Sequence, residues 1–254
     1  MKKASLMGVV SKSILGLIFV VAIVFAFVAN NIYLFPGSFL GIINLIVVTV
    51  LMYMTFNSLR KDSGFLLNNL KWFLNLALIG ATTGNAINVI TYYTSYVTDD
   101  QYLIEMAPVA ILLALFITIV IVGIGIIMLP YIRKTVVNSK IMNIVFLLTM
   151  FTTIALGISS IVGFILTMFG INWLWDMYIN SIYGTGPMAI GIALLFIGTA
   201  CYSYAINLIA VNNMVDNEEE YLEYYMSSIL LMSIINIFIE IFRLVLKFFV
   251  NKDE

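Results

Sequence analysis

The chain has 254 residues, of which 63% are hydrophobic and 10% charged, with a formal net charge of -1. A soluble domain carries about 25% charged residues, so this composition excludes an ordinary soluble globular protein and points to a polytopic membrane protein. The near-zero net charge gives no electrostatic footprint for nucleic acid. There is no histidine and one cysteine, Cys201, which removes histidine-ligated metal or haem sites, serine–histidine catalysis, imidazole pH sensing and any intrachain disulfide.

A basic head with Lys2, Lys3 and Lys12 opens the chain, followed by an apolar run over residues 14–29. This run reads as a retained first span; the alternative, a secretory signal peptide cleaved after Val24-Phe25-Ala26, has no soluble segment to export. Phe35-Pro36-Gly37 turns the chain into a second span over 39–56, closed by Arg60, Lys61, Asp62 and Lys71. The third span, 72–93, has a small-residue face of Ala77, Gly80, Ala81 and Gly84, which allows close approach of another helix. Its Asn75, Asn85 and Asn88 read as bridges to neighbouring helices, or as the lining of a polar path.

Asp99, Asp100 and Glu105 precede the fourth span, 107–129, with Pro108 in its first turn. Arg133, Lys134 and Lys140 make the next loop basic, and 141–169 holds the fifth span. Trp173, Trp175 and Tyr178, with Asp176, read as an interfacial aromatic belt. The sixth span, 188–211, follows Gly184-Thr185-Gly186-Pro187, and an acidic loop of Asp216, Glu218, Glu219, Glu220 and Glu223 leads into the last.

The seventh span, 224–250, carries Ser233, Asn236, Glu240, Arg243 and Lys247 at helical spacing, which puts them on one face. Ionisable groups inside a bilayer cost about 2.5–3.5 kcal/mol each, so this stripe is expected to face protein or a hydrated cavity. Glu240 and Arg243, one turn apart, are expected to pair. Lys247, nearer the helix end, is expected to snorkel to the interface, so that Arg243→Ala harms folding more than Lys247→Ala. The stripe reads either as a packing device or as the wall of an ion path.

Lysine and arginine alternate from loop to loop, which places the N-terminus in the cytoplasm. Seven crossings put Lys252 outside; a last segment that dips in and returns would keep it inside. No Walker loop, dinucleotide fingerprint, EF-hand loop or intramembrane pair of aspartates is present, so no enzyme, cofactor or metal site is expected. The fold class is all-α, a single integral membrane domain.

Met232-Ser233-Ile234-Ile235-Asn236-Ile237-Phe238, with Arg243 beyond, and Tyr204-Ala205-Ile206-Asn207 in the sixth span resemble the last two spans of the Bax-inhibitor-motif family. The resemblance implies six helices around a central seventh and a role in calcium leak or membrane ion homeostasis. Tyr204, Asn207, Asn236 and Arg243 match that pattern. Ala205 and Ser233 stand where the family carries a pair of aspartates that acts as a proton-sensitive latch, so a latch of that kind is not expected here. The expected partners are the lipid bilayer and calcium or another cation. The alternative is a non-conducting protein that binds other membrane proteins. Composition suggests a bacterial plasma membrane.

Overall fold

The computed structural model describes residues 3–32, 39–135, 140–215 and 218–250, without the side chains of 39–46, 134–135, 140–143, 145–146 and 164. The expected turn at Phe35-Pro36-Gly37 lies outside these residues, as do Lys2, Asp216 and Lys252. The described chain is almost wholly helical and has no strand. One isolated bridge joins Lys3 to Glu219.

The helices are α1 (Leu6–Ala29), α2 (Phe39–Ser58), α3 (Phe65–Thr98), α4 (Tyr102–Ile127), α5 (Leu129–Thr135), α6 (Lys140–Thr167), α7 (Trp173–Tyr183), α8 (Pro187–Val215) and α9 (Glu223–Phe248). Six stretches, in α1, α3, α4, α6, α8 and α9, are long and apolar enough to cross a membrane, which makes this an integral membrane protein. That is one fewer than the seven expected. α2 has 20 residues, but the part with described side chains, Val47–Ser58, falls short of a span.

Helix ends depart from the apolar runs where polar groups close them. α1 starts eight residues before position 14 because Ser5 caps it, its Oγ accepting from the Gly8 N–H. α3 starts at Phe65 because the Asp62 carboxylate accepts from Gly64 N–H and Asn68 Nδ2. These bonds, the Gly64 one foremost, hold the Asp62 carboxyl below its ordinary range. Gly64 itself has φ +83°, a conformation open to glycine at little cost. The belt residues Trp173, Trp175 and Tyr178 lie on a short helix of their own, α7, between the fifth and sixth expected spans.

Side-chain pairs set the helix directions. Along α1 and α9, Gly8 meets Glu223, Ser13 Oγ donates to Ser227 O, and Gly16 meets Leu231, so the two run parallel. α3 runs with them: Tyr224 OH donates to Asn69 and Asn75 to Ser228, while Gly80 meets Ile23 and Gly84 meets Phe27 of α1. α8 is antiparallel to α9, since Asn207 meets Ser233 and Ala189 meets Lys247. α2 is antiparallel to α3 (Thr82 with Met52, Thr55 with Asn75). α9 packs on α1, α3, α4 and α8 and is the most buried of the six candidate spans. It is an uninterrupted helix from the α1 N-terminal end to the far end of the bundle, so within the described residues the last segment does not turn back on itself.

The small-residue face of α3 receives α1. A Cβ on Gly84 would lie 2.8 Å from the Phe27 Cβ, and one on Gly80 would lie 3.0 Å from the Ile23 Cβ. Gly84→Ala is therefore expected to cost about 1–3 kcal/mol by forcing the two helices apart. Gly198→Ala, which would add its methyl to open space, should leave stability within about 0.5 kcal/mol. Thermal melting of both variants in detergent checks this, and equal melting points would count against the close α1–α3 contact.

Candidate functional site

The polar residues of α9 meet different surroundings at each depth. Ser233 is buried, and its Oγ accepts a 2.5 Å hydrogen bond from Asn207 Nδ2 of α8. Ala205, two residues earlier, is also buried. The partner of Ser233 on α8 is thus Asn207 rather than the position at 205 with which the family pattern couples it. One turn from Asn207, buried Tyr204 donates from its OH to Val122 O at 3.3 Å. Its ring lies where a Cβ on Gly125 would be 2.7 Å away, so a glycine of α4 admits an aromatic of α8. Tyr204, Asn207 and Ser233 therefore tie α4, α8 and α9 together. The tie is uncharged.

Asn236 is exposed and faces a cavity of about 340 Å³ beside Met52, Thr82 and Thr83. Glu240 and Arg243 do pair, Oε2 to an Nη at 3.0 Å, with side chains 17% and 14% exposed. They border another cavity, of about 380 Å³, with Thr153 of α6, Tyr178 and Tyr183 of α7 and Phe196 of α8. The stripe that looks continuous on a helical wheel is thus divided between a bonded joint, a cavity toward α2 and α3, and a cavity toward α6 and α7.

Lys247 corrects an expectation. It is 3% exposed, and its ammonium donates to Ile182 O at 2.7 Å, Gly184 O at 2.9 Å and Ala189 O at 3.1 Å. It does not snorkel. All three of its N–H groups go to backbone carbonyls, two of them at the C-terminal end of α7, where helical acceptors lack partners.

Glu223, taken as a loop residue from the sequence, is the first residue of α9 and is 4% exposed. Its carboxylate accepts from Lys12 Nζ at 2.5 Å and from the N–H and Oγ of Ser5 at 2.7 and 3.2 Å. Lys12 also lies over the Tyr224 ring, 4.8 Å from its centroid, and Arg60 over the Tyr225 ring at 4.7 Å. The sequence held one signal for Glu223: it is the last acid of its run and directly abuts the apolar stretch. Ser13 and Asn75, which bond Ser227 and Ser228, bridge helices at the same end. Asn88 bridges as well, donating to Phe27 O and Ile32 O.

Among the described residues no three of the His, Cys, Asp and Glu side chains come together as a metal site. Compared with protein-family models, curated proteins and solved structures, the chain matches none.

Proposed function

We propose that the protein is a Bax-inhibitor-like membrane protein that passes or regulates cations, calcium among them, with a neutral joint in place of a paired-acid latch. The observation that carries this is the Asn207–Ser233 hydrogen bond between two membrane-length helices. It sits on the helix that also presents Asn236 and the Glu240–Arg243 pair to cavities. A hydrogen bond inside a bilayer is worth about 0.6–2 kcal/mol, enough to favour one packing of α8 on α9 without locking it. Mid-span ionisable residues support an ion path as the working role for the lower stripe. Sequence pattern, not overall similarity, supports the family assignment.

The test is calcium flux into liposomes holding the purified protein and an entrapped indicator. Asn207→Ala should raise flux about threefold or more by removing the joint, and Glu240→Gln should lower it. Flux should change little between about pH 6 and 8, since the chain has no histidine and the joint has no acid. Absence of flux from every variant would sink conduction and leave the binding of other membrane proteins as the reading. A steep pH response would sink the neutral joint.

We take α2 as a seventh crossing and the N-terminus as cytoplasmic, in a bacterial plasma membrane. Alternating helix directions and alternating basic loops support this topology. With Cys201→Ser, a cysteine at Thr98 should react on intact cells with an impermeant thiol reagent and one at Ser11 should not; the reverse pattern would overturn it.

A further inference from the structure

At the end of the bundle away from Lys12 and Glu223, the C-terminal turns of α3 and the first turns of α7 line a half-open cavity of about 580 Å³. Its walls are aromatic: Tyr92, Tyr93 and Tyr96 from α3 face Trp175 from α7, with Asp176 and Asn180 beside it. The rings are held by one another. Tyr92 stacks on Tyr96 with centroids 6.5 Å apart and planes at 15°, and meets Tyr93 edge-on at 5.4 Å. Tyr93 stacks on Tyr183 at 5.2 Å, and Trp175 leans on Tyr178 at 5.6 Å. Trp175 is brought in by a close crossing, since a Cβ on Gly163 of α6 would lie 3.2 Å from its backbone.

Interfacial aromatics that serve only as a belt point outward around a bundle. These converge from two elements on one concavity. Asp176 lies in the first turn of α7, where the helix dipole favours a carboxylate, and makes no ion pair among the described residues. A neighbouring cavity of about 430 Å³ shares Tyr92 and Tyr96 and adds Asp99. No basic residue lies between Lys71 and Arg133 or between Lys140 and Arg243, so neither connection at this end carries one. The nearest cations on α9 are spoken for, Arg243 by Glu240 and Lys247 by three carbonyls.

Aromatic faces attract cations through the ring quadrupole, and a cage of several rings suits a cation too bulky and weakly hydrated to need strong hydrogen bonds. A nearby carboxylate adds long-range attraction. A volume of this size is in the range of small-molecule sites. We propose that this cavity is a binding site for an organic cation of the quaternary ammonium class, held by Tyr92, Tyr93, Tyr96 and Trp175 and attracted by Asp176. The same group occurs on free small molecules and on choline headgroups of lipids, and both fit the chemistry.

The experiment uses the full chain in detergent and titrates it with choline, following tryptophan fluorescence and heat of binding. Choline is expected to bind, and its neutral isostere, with carbon in place of nitrogen, to bind on the order of tenfold more weakly. Trp175→Leu should weaken choline on the order of tenfold and Asp176→Asn about threefold. Tyr96, 69% exposed, gives a variant with little risk to folding, and Tyr96→Leu should weaken binding in the same direction. A second arm compares the tryptophan fluorescence of the protein reconstituted in phosphatidylcholine and in phosphatidylglycerol nanodiscs, with the Tyr96→Leu variant as control. Choline bound in solution assigns the site to a free ligand, and a headgroup-dependent fluorescence change that Trp175→Leu removes, without choline binding, assigns the site to lipid. Equal affinity for the neutral isostere, or affinity indifferent to both Tyr96→Leu and Asp176→Asn, overturns the proposal. So does the absence of any response in both arms.

Discussion

Lys247→Met is expected to lower the melting temperature in detergent more than any other single change on α9, at a cost of about 2–5 kcal/mol. Among the described residues the ammonium has no carboxylate partner; it is held by the carbonyls of Ile182, Gly184 and Ala189. Methionine fills the same space but offers no donor. Ile182 and Gly184 then keep buried carbonyls that neither α7 nor α8 satisfies, and burial inside the bundle keeps water from replacing the lost bond. Arg243→Met is expected to cost less. Its guanidinium and Glu240 are both partly exposed to a cavity, which lets the stranded carboxylate find water or a proton. This reverses the order expected from the sequence. Equal melting of Lys247→Met and the unaltered protein would show that the α7–α8 connection does not depend on the ammonium.

The second large effect is expected at the opposite end. Lys12→Met leaves the Glu223 carboxylate buried with only Ser5 donors, and a broken buried pair costs about 3–5 kcal/mol. Since Lys12 is 24% exposed, the lower part of that range applies. Lys12→Met combined with Glu223→Gln should be more stable than Lys12→Met alone, because no uncompensated charge remains. With Glu223→Gln alone and the unaltered protein, the four form a double-mutant cycle. If the double variant is the least stable of them, the pair is not coupled as its geometry requires.

Six of the seven expected spans coincide with membrane-length helices, because an apolar run of about 20 residues has few other uses. Their ends were less legible. Ser5 lengthens α1 through a cap, and Asp62 orders the turn before α3 by binding Gly64 N–H and the Asn68 side chain, neither of which hydropathy registers. α7 was missed because Asp176, Asn180 and Ser181 break its apolar pattern, although 11 residues form a regular helix. The Glu240–Arg243 pair was legible because both partners lie one turn apart on one helix. Lys12–Glu223 was not, since the partners are 211 residues apart and a lone charge in sequence says nothing about what will face it. The same holds for Lys247, whose acceptors are backbone atoms and so have no residue-type signature at all. The stripe on α9 shows the limit of helical periodicity: spacing fixes which side chains share a face, while neighbouring helices decide what that face meets at each level.

The position of α9 in the chain bears on how the protein is made. Synthesis runs from the N-terminus, so α1, α3, α4 and α8 are all in the membrane before the helix that touches the four of them exists. Until then Ser13, Asn75 and Asn207 lack the partners Ser227, Ser228 and Ser233 that they bond in the finished bundle. The α9-facing grooves of the early helices must be filled meanwhile by lipid or by the insertion machinery. Arrival of α9 then closes the bundle from both ends, Glu223 docking on Lys12 and Lys247 docking on the α7–α8 connection. A ribosome paused before α9 would therefore hold an intermediate with its helices inserted and its core still open, recognisable by protease access that vanishes when the last helix is released.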